Sequence, residues 1–393
     1  MNGPWRRRLK VWAINFVLIE AISLGALWIL TSQYIHYYPV HSLHEFHRER
    51  MEKFASDGYT YDEFSWETGW QIRANGVARS SGRHYQSNEQ GIRSLKVYAD
   101  SAGPGVLRLA AFGDSFTHCD DVKNDETWQH FLETDFDSLE AINFGVGGYG
   151  TDQAYLRYLH KGKAFNANIV TIGFNTDNML RNVNRYRPFF ALNTKKPLVK
   201  PRYRIEGDSL VLVPNPFDSR QGYFDLIASP ADVVPKLGEG DYWYSQRTGD
   251  SIFDYLATVR LIKVLRGVTL SLWFDVFPES DITSAEYFQV TERILKQFYD
   301  QAKADGAEPV IVIFPAYRDF LHYSLYEKRR SDVLVQRLTD AGYRVHDLWH
   351  LYEESGFESS AILNKNGGHY SPEANKRVAR SLVDYLKTEG LMD

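Results

Sequence analysis

Five short apolar runs recur along this chain of 393 residues: Leu107–Phe112, Leu139–Phe144, Asn168–Phe174, Glu308–Phe314 and Tyr343–Leu348. Helical stretches alternate with them. Thr127–Leu132 begins one helix. Thr151–Lys161, with Thr151 as its expected N-cap, Ala285–Asp305, Ser331–Ala341 and Pro372–Lys387 supply the others. Strands that alternate with helices pair side by side in one parallel sheet, which defines an α/β fold. The rhythm breaks between about 180 and 285. There Arg202–Pro214 reads as a hairpin around Gly207-Asp208, and Asp250–Leu265 reads as a helix. This block is expected to be an insertion of about 100 residues.

The chemistry-bearing residues fall where strands end. Gly113-Asp114-Ser115-Phe116 follows the first run, Asn143-Phe-Gly-Val-Gly-Gly148 the second, and Gly173-Phe-Asn175 closes the third. His369-Tyr-Ser-Pro372 precedes the last helix. Open α/β sheets bind ligands at the carboxyl ends of their strands. A serine, two places for oxyanion donors and a histidine are the minimum set for acyl transfer through a serine ester. Gly148 permits close backbone approach, Asn175 offers two N–H donors on a short stem, and His369 takes a proton near neutral pH. Each has a plainer reading: Ser115 as an N-cap, Gly145, Gly147 and Gly148 as a flexible turn, Asn175 as a turn residue, and His369 as a surface loop residue.

In their order, these four blocks resemble the SGNH/GDSL hydrolase superfamily over roughly residues 105–178 and 286–388. The resemblance implies a flavodoxin-like three-layer α/β/α sandwich around a central parallel sheet, with no metal and no other cofactor. It implies that Ser115 is the nucleophile and His369 the base. The backbone N–H groups of Ser115 and Gly148 and the Asn175 amide would form the oxyanion hole. The family usually places an aspartate three residues before the histidine, and Asn366 stands there. An asparagine accepts from the ring N–H without stabilising the imidazolium by charge. Three readings stay open: a dyad helped by Asn366 or a backbone carbonyl, an acid from elsewhere such as Asp347, or weakened activity. Asp120 and Asp121 rank behind Asp347, because they sit on the nucleophile's own loop.

Val11–Leu30 is a mostly apolar run about long enough to span a bilayer. Arg6, Arg7, Arg8 and Lys10 precede it, and Thr31–Leu43 carries neither lysine nor arginine. The positive-inside rule then puts the N-terminus in the cytoplasm and the rest outside a cell (inner) membrane. The run is longer than a usual signal-peptide core and no clear cleavage site follows, so an uncleaved anchor is expected. Glu20 is expensive at mid-membrane, which points either to a tolerated single anchor or to a partner helix that satisfies it. Beyond the anchor, 41 basic residues face 49 acidic ones, which excludes a basic face for nucleic acid. The lone Cys119 rules out an intramolecular disulfide.

The expected organisation is an anchor (1–32), a juxtamembrane and lead-in region (33–104), and a hydrolase-like domain (105–393) with its insertion. His41, His44 and His47 recur every three residues, but residues six apart on a helix diverge by about 120°, so a solvated face is expected rather than a metal site. His118 and Cys119 are expected to pack beneath the nucleophile's loop. Tyr186, Phe189, Phe190, Tyr203, Tyr242, Trp243 and Tyr244 form either a sugar-stacking cap or the insertion's own core. Arg181, Arg185 and Arg187 form either an anion site or an ion-paired face. The expected function is ester hydrolysis or O-acyl transfer on an acylated small molecule or exported glycan. The alternative is a quiet glycan-binding or assembly protein of the same fold.

Overall fold

In this computed structural model the described residues are 4–32, 43–80, 83–191, 194–247, 252–265, 282–365 and 368–392. Five strands form one parallel sheet: β1 Leu107–Phe112, β2 Leu139–Asn143, β3 Ile169–Phe174, β4 Glu308–Ile313 and β5 Val345–Asp347. Their order across the sheet is β5-β4-β3-β1-β2. This is the flavodoxin-like order, and its direction of winding reverses between β1 and β3.

Alternation along each strand splits the core in two. Ala110 and Phe112 of β1 face one side with Ile142, Ile172 and Ile311, while Leu109 and Ala111 face the other with Ala141, Val310 and Val312. Side chains two apart share a face of a strand. The first side is covered by α5 Thr151–His160, α6 Glu286–Ala304 and α8 Asp332–Asp340. The second is covered by α4 Trp128–Asp135, α7 Tyr317–Tyr326 and α9 Pro372–Thr388. The molecule is therefore a three-layer α/β/α sandwich.

Local chemistry shifts some expected boundaries. Thr127 is the cap of α4, its hydroxyl accepting from the His130 N–H at 3.2 Å. Thr151 is the first helical residue of α5 rather than its cap; Gly150 takes the cap position, and its N–H donates to the Gln153 side chain. The insertion has its hairpin, Arg202–Glu206 with Ser209–Val213. Its aromatics make a core: Tyr186, Phe189, Tyr203 and Trp243 are buried and join the same cluster as Phe112 and Phe144.

The lead-in region packs into that cluster too, through Trp70, Ile72, Ile92 and Tyr98. Helix α2, Leu43–Ala55, contributes Met51 and Phe54. His47 on α2 is buried, contrary to a solvated face. Among the described residues no three metal-ligating side chains come together. Helix α1, Pro4–Ser32, is long and apolar enough over Arg7–Leu30 to cross a membrane.

Phe112 closes β1 beneath the candidate site, stacked on Phe144 at 4.8 Å between centroids. Phe112→Ala is expected to cost about 3–5 kcal/mol through the cavity it leaves. A thermal melt of the purified protein should show a clearly lowered midpoint.

Candidate active site

Ser115 opens a single helical turn, α3 Ser115–His118, directly after β1. It is not the cap. Asp114 caps the turn, its Oδ1 accepting from the Phe116 N–H at 2.9 Å. The other carboxylate oxygen, Oδ2, accepts from the Asn175 amide, from Asn178 Nδ2 at 3.0 Å and from Arg181 Nη1 at 2.9 Å. Asp114 thereby clamps the end of β1 to the end of β3.

Asn175 is buried, and two bonds define which way its amide points. Its Oδ1 accepts from the Asp177 N–H at 3.0 Å, so Nδ2 is the atom at Asp114. That nitrogen carries two hydrogens. One is committed to Asp114, and the second remains for an oxygen in the site. Among the described residues no acceptor meets the main-chain N–H of Ser115 or of Gly148. Gly148 has φ +84°, a conformation that glycine adopts without strain. Gly145 meets a different demand: a Cβ there would lie 2.3 Å from the His118 backbone nitrogen, so the β2 loop reaches α3 only as glycine.

The glycine loop is held from outside the sheet. Trp70 Nε1 donates to the Gly147 carbonyl at 3.2 Å, as does Lys196 Nζ at 3.0 Å. Arg187 donates to the Gly148 carbonyl, and Arg181 and Asn178 both donate to that of Tyr149. The three arginines singled out in the sequence thus have internal duties. Arg181 and Arg187 fasten the site. Arg185, whose guanidinium donates to the Glu239 and Pro214 carbonyls, fastens the insertion. Trp70, Arg187 and Lys196 were not legible as site residues. They come from the lead-in region and the insertion, and no spacing joins them to Gly148.

The largest correction concerns the partner of His369. Asp121 Oδ2 lies 3.0 Å from His369 Nδ1 and accepts the main-chain N–H of His369 at 3.0 Å. Ring and main-chain nitrogens converge on one oxygen, and the ring contact is an ion-pair approach without hydrogen-bond geometry. Asn364 Nδ2 adds a bond to the Asp121 carbonyl at 3.0 Å, stitching the His369 loop to the Ser115 loop. Asp347 points elsewhere, accepting from Arg329 Nη1 and the Trp349 N–H, each at 3.0 Å. Asn366 lies outside the described residues.

The loop position that ranked Asp121 low is what brings it in. Helix α3 ends after one turn because Cys119 adopts a left-handed conformation (φ 63°). The chain then doubles back, with the Asp120 N–H bonded to the Ser115 carbonyl at 3.1 Å. The Phe116 ring lies 5.0 Å from that of His369 and so joins the two halves of the site.

The two histidines titrate in opposite directions. Burial acts to lower His369, but Asp121, Asp120 and Asp114 outweigh it and hold the imidazole above its ordinary value. His118 is packed beneath the loop as expected, with Nδ1 2.6 Å from Asp120 Oδ1 and Nε2 2.7 Å from the Tyr61 hydroxyl. Burial and the nearby Arg93 push it down to about 4 despite Asp120. Cys119 is also buried, and burial raises its thiol to about 12, which removes it as a nucleophile.

No family model and no curated protein sequence matches the chain. Among solved structures it is similar to one described as a lipolytic protein of the G-D-S-L family from Desulfitobacterium hafniense DCB-2. That pair shares 12% identity over 71% of this chain and 99% of the other, with a TM-score of 0.37. It is also similar to the psychrotrophic esterase EstA from Pseudoalteromonas sp., at 11% identity over 72% and 97% of the two chains and a TM-score of 0.36. A third, the acetyl xylan esterase AlAXEase, shows 11% identity over 71% and 98%, with a TM-score of 0.35.

Asp121→Asn keeps the size of the side chain and removes its charge. A base works in its neutral form, so with His369 as the base its raised value would carry the acidic limb of the rate profile upward from the ordinary histidine value. The substitution should move that limb to lower pH and cut turnover about 10²–10⁴-fold. A pH–rate profile with a proton NMR titration of His369 checks both. The stability linkage has the matching sign: the favourable charge pairing is full below the ordinary histidine value and is lost as pH rises through the raised one.

Proposed function

We propose that the chain is a serine-dependent esterase or O-acyltransferase. The observation that carries this reading is the Asp121 carboxylate beside His369, on the same loop that presents Ser115. With its Nδ1 proton turned toward Asp121, the neutral imidazole leaves Nε2 free to take a proton. Ser115 Oγ attacks the ester carbonyl, a new C–O bond forms, and His369 takes the serine proton. The oxygen that becomes negative is received by the N–H groups of Ser115 and Gly148 and the second hydrogen of Asn175. His369 then returns its proton to the departing alkoxide, leaving an acyl-serine. Water releases the acid in an esterase; a second hydroxyl receives the acyl group in a transferase.

Asp121 supports this reading despite Asn366, because it sets a carboxylate beside His369. A glycan as substrate is supported by the membrane-length helix, which suits a protein working on exported material outside the cytoplasm. Tyr186, Phe189, Tyr203 and Trp243 of the insertion give that choice no support, since they are buried in the cluster shared with Phe112 and Phe144.

Ser115→Ala should abolish hydrolysis of short-chain aryl esters while the melting profile stays near that of the parent. A fluorophosphonate probe should label the parent and not the variant. A parent protein that stays unlabelled and inactive would mark a fold retained for binding alone.

A further inference from the structure

Glu20 sits inside the apolar helix α1, and its carboxylate is met from within the chain. Oε2 accepts the Ala257 N–H at 2.6 Å and Oε1 the Thr258 N–H at 3.3 Å. Ser23, one turn on, is buried, with its hydroxyl 3.0 Å from that of Thr258. Residues 257 and 258 open a helix that runs over 257–265. Arg260 adds positive charge near the same carboxylate. The less exposed positions of α1 are Glu20, Ser23, Ala26, Leu27 and Leu30, which form one stripe along the half leading to Ser32.

Depth follows from these contacts. Glu20 is ten residues before Leu30, the end of the membrane-length stretch. At 1.5 Å per residue that is about 15 Å, half of a hydrocarbon core of about 30 Å. A group bonded to Glu20 therefore shares its depth. The segment that reaches it is apolar on its outside: Ile252, Tyr255 and Ile262 are exposed, from 59% at Ile262 to 86% at Tyr255. Exposed apolar side chains at that depth beside a spanning helix meet acyl chains rather than water. The free N–H groups of a helix start are costly in hydrocarbon unless an acceptor meets them, and Glu20 supplies two.

We propose that residues 252–265 of the insertion are seated in the bilayer beside α1, in the half through which α1 leaves toward the rest of the chain. Ile252, Tyr255 and Ile262 face lipid acyl chains, and Glu20 is the polar anchor. The insertion then ties the soluble layers to the membrane at a second place. This does not depend on the catalytic reading.

The test uses the full chain in phosphatidylcholine–phosphatidylglycerol vesicles, with a nitroxide on Tyr255→Cys or Ile262→Cys. Trp12→Cys in α1 serves as the lipid reference and Val333→Cys as the aqueous one. Cys119, being buried, is checked by labelling the parent. The two test sites should lose contact with an aqueous nickel chelate and gain contact with oxygen, matching Trp12. Nickel contact equal to that at Val333, while Trp12 stays protected, overturns the proposal. Protection from both reagents, with spin–spin broadening, would mean a second copy covers the face and also overturns it. Glu20→Leu should restore nickel contact at Ile262 with Trp12 unchanged; unaltered protection overturns Glu20 as the anchor.

Discussion

Asp114 accepts four hydrogen bonds in a place closed to water: one from the first turn of α3, two from asparagines after β3, and one from Arg181. A buried carboxylate without partners costs several kcal/mol, so the position is tolerable only when all its donors are in place. That demand sets the geometry. Three of the four donors come from a chain segment 61 to 67 residues downstream, at the point where the sheet's winding reverses. Satisfying one buried charge brings the Ser115 turn, the Asn175 amide and, through the shared Tyr149 carbonyl, the glycine loop to one place.

The neighbouring carboxylates divide the remaining work. Asp120 and Asp121 are adjacent in sequence, yet each holds a different histidine. Asp120 meets His118, which is sealed beneath the loop near Arg93 and stays neutral. Asp121 meets His369, which has three carboxylates around it and is pushed the other way. Environment rather than residue type separates a structural imidazole from one able to cycle a proton. The left-handed turn at Cys119 makes this possible, because it sends two consecutive carboxylates toward different histidines.

Support for the glycine loop after β2 comes from parts of the chain that carry no motif. Trp70 belongs to a short antiparallel pair in the lead-in region, and Arg187 and Lys196 to the insertion. All three donate to carbonyls of Gly147 or Gly148. Tying down the Gly147 carbonyl orients the peptide unit that carries the Gly148 N–H, while the Gly148 carbonyl belongs to the unit of the Tyr149 N–H, itself bonded to the Val146 carbonyl at 3.2 Å. Preorganised dipoles of this kind act without reorganising during reaction.

The five strands, most flanking helices, the membrane-length helix and the positions of Ser115, Gly148 and Asn175 after strands and of His369 before the last helix were legible because each rests on a local signal. Those signals are a period of two or of 3.6, a strand followed by glycine, or a polar residue at a strand end. Asp121 was not legible. Its role depends on one residue, Cys119, ending a helix that its own sequence does not obviously end. The buried duties of Arg181 and Arg187, and the meeting of Glu20 with residues 257 and 258, were equally hidden. Each pairs a charge with a partner tens or hundreds of positions away. Periodicity and propensity act over a few residues, and they determined the elements and the placing of reactive groups at strand ends. Which acid serves which base is decided by long-range desolvation and charge pairing, and these exist only once the layers have closed.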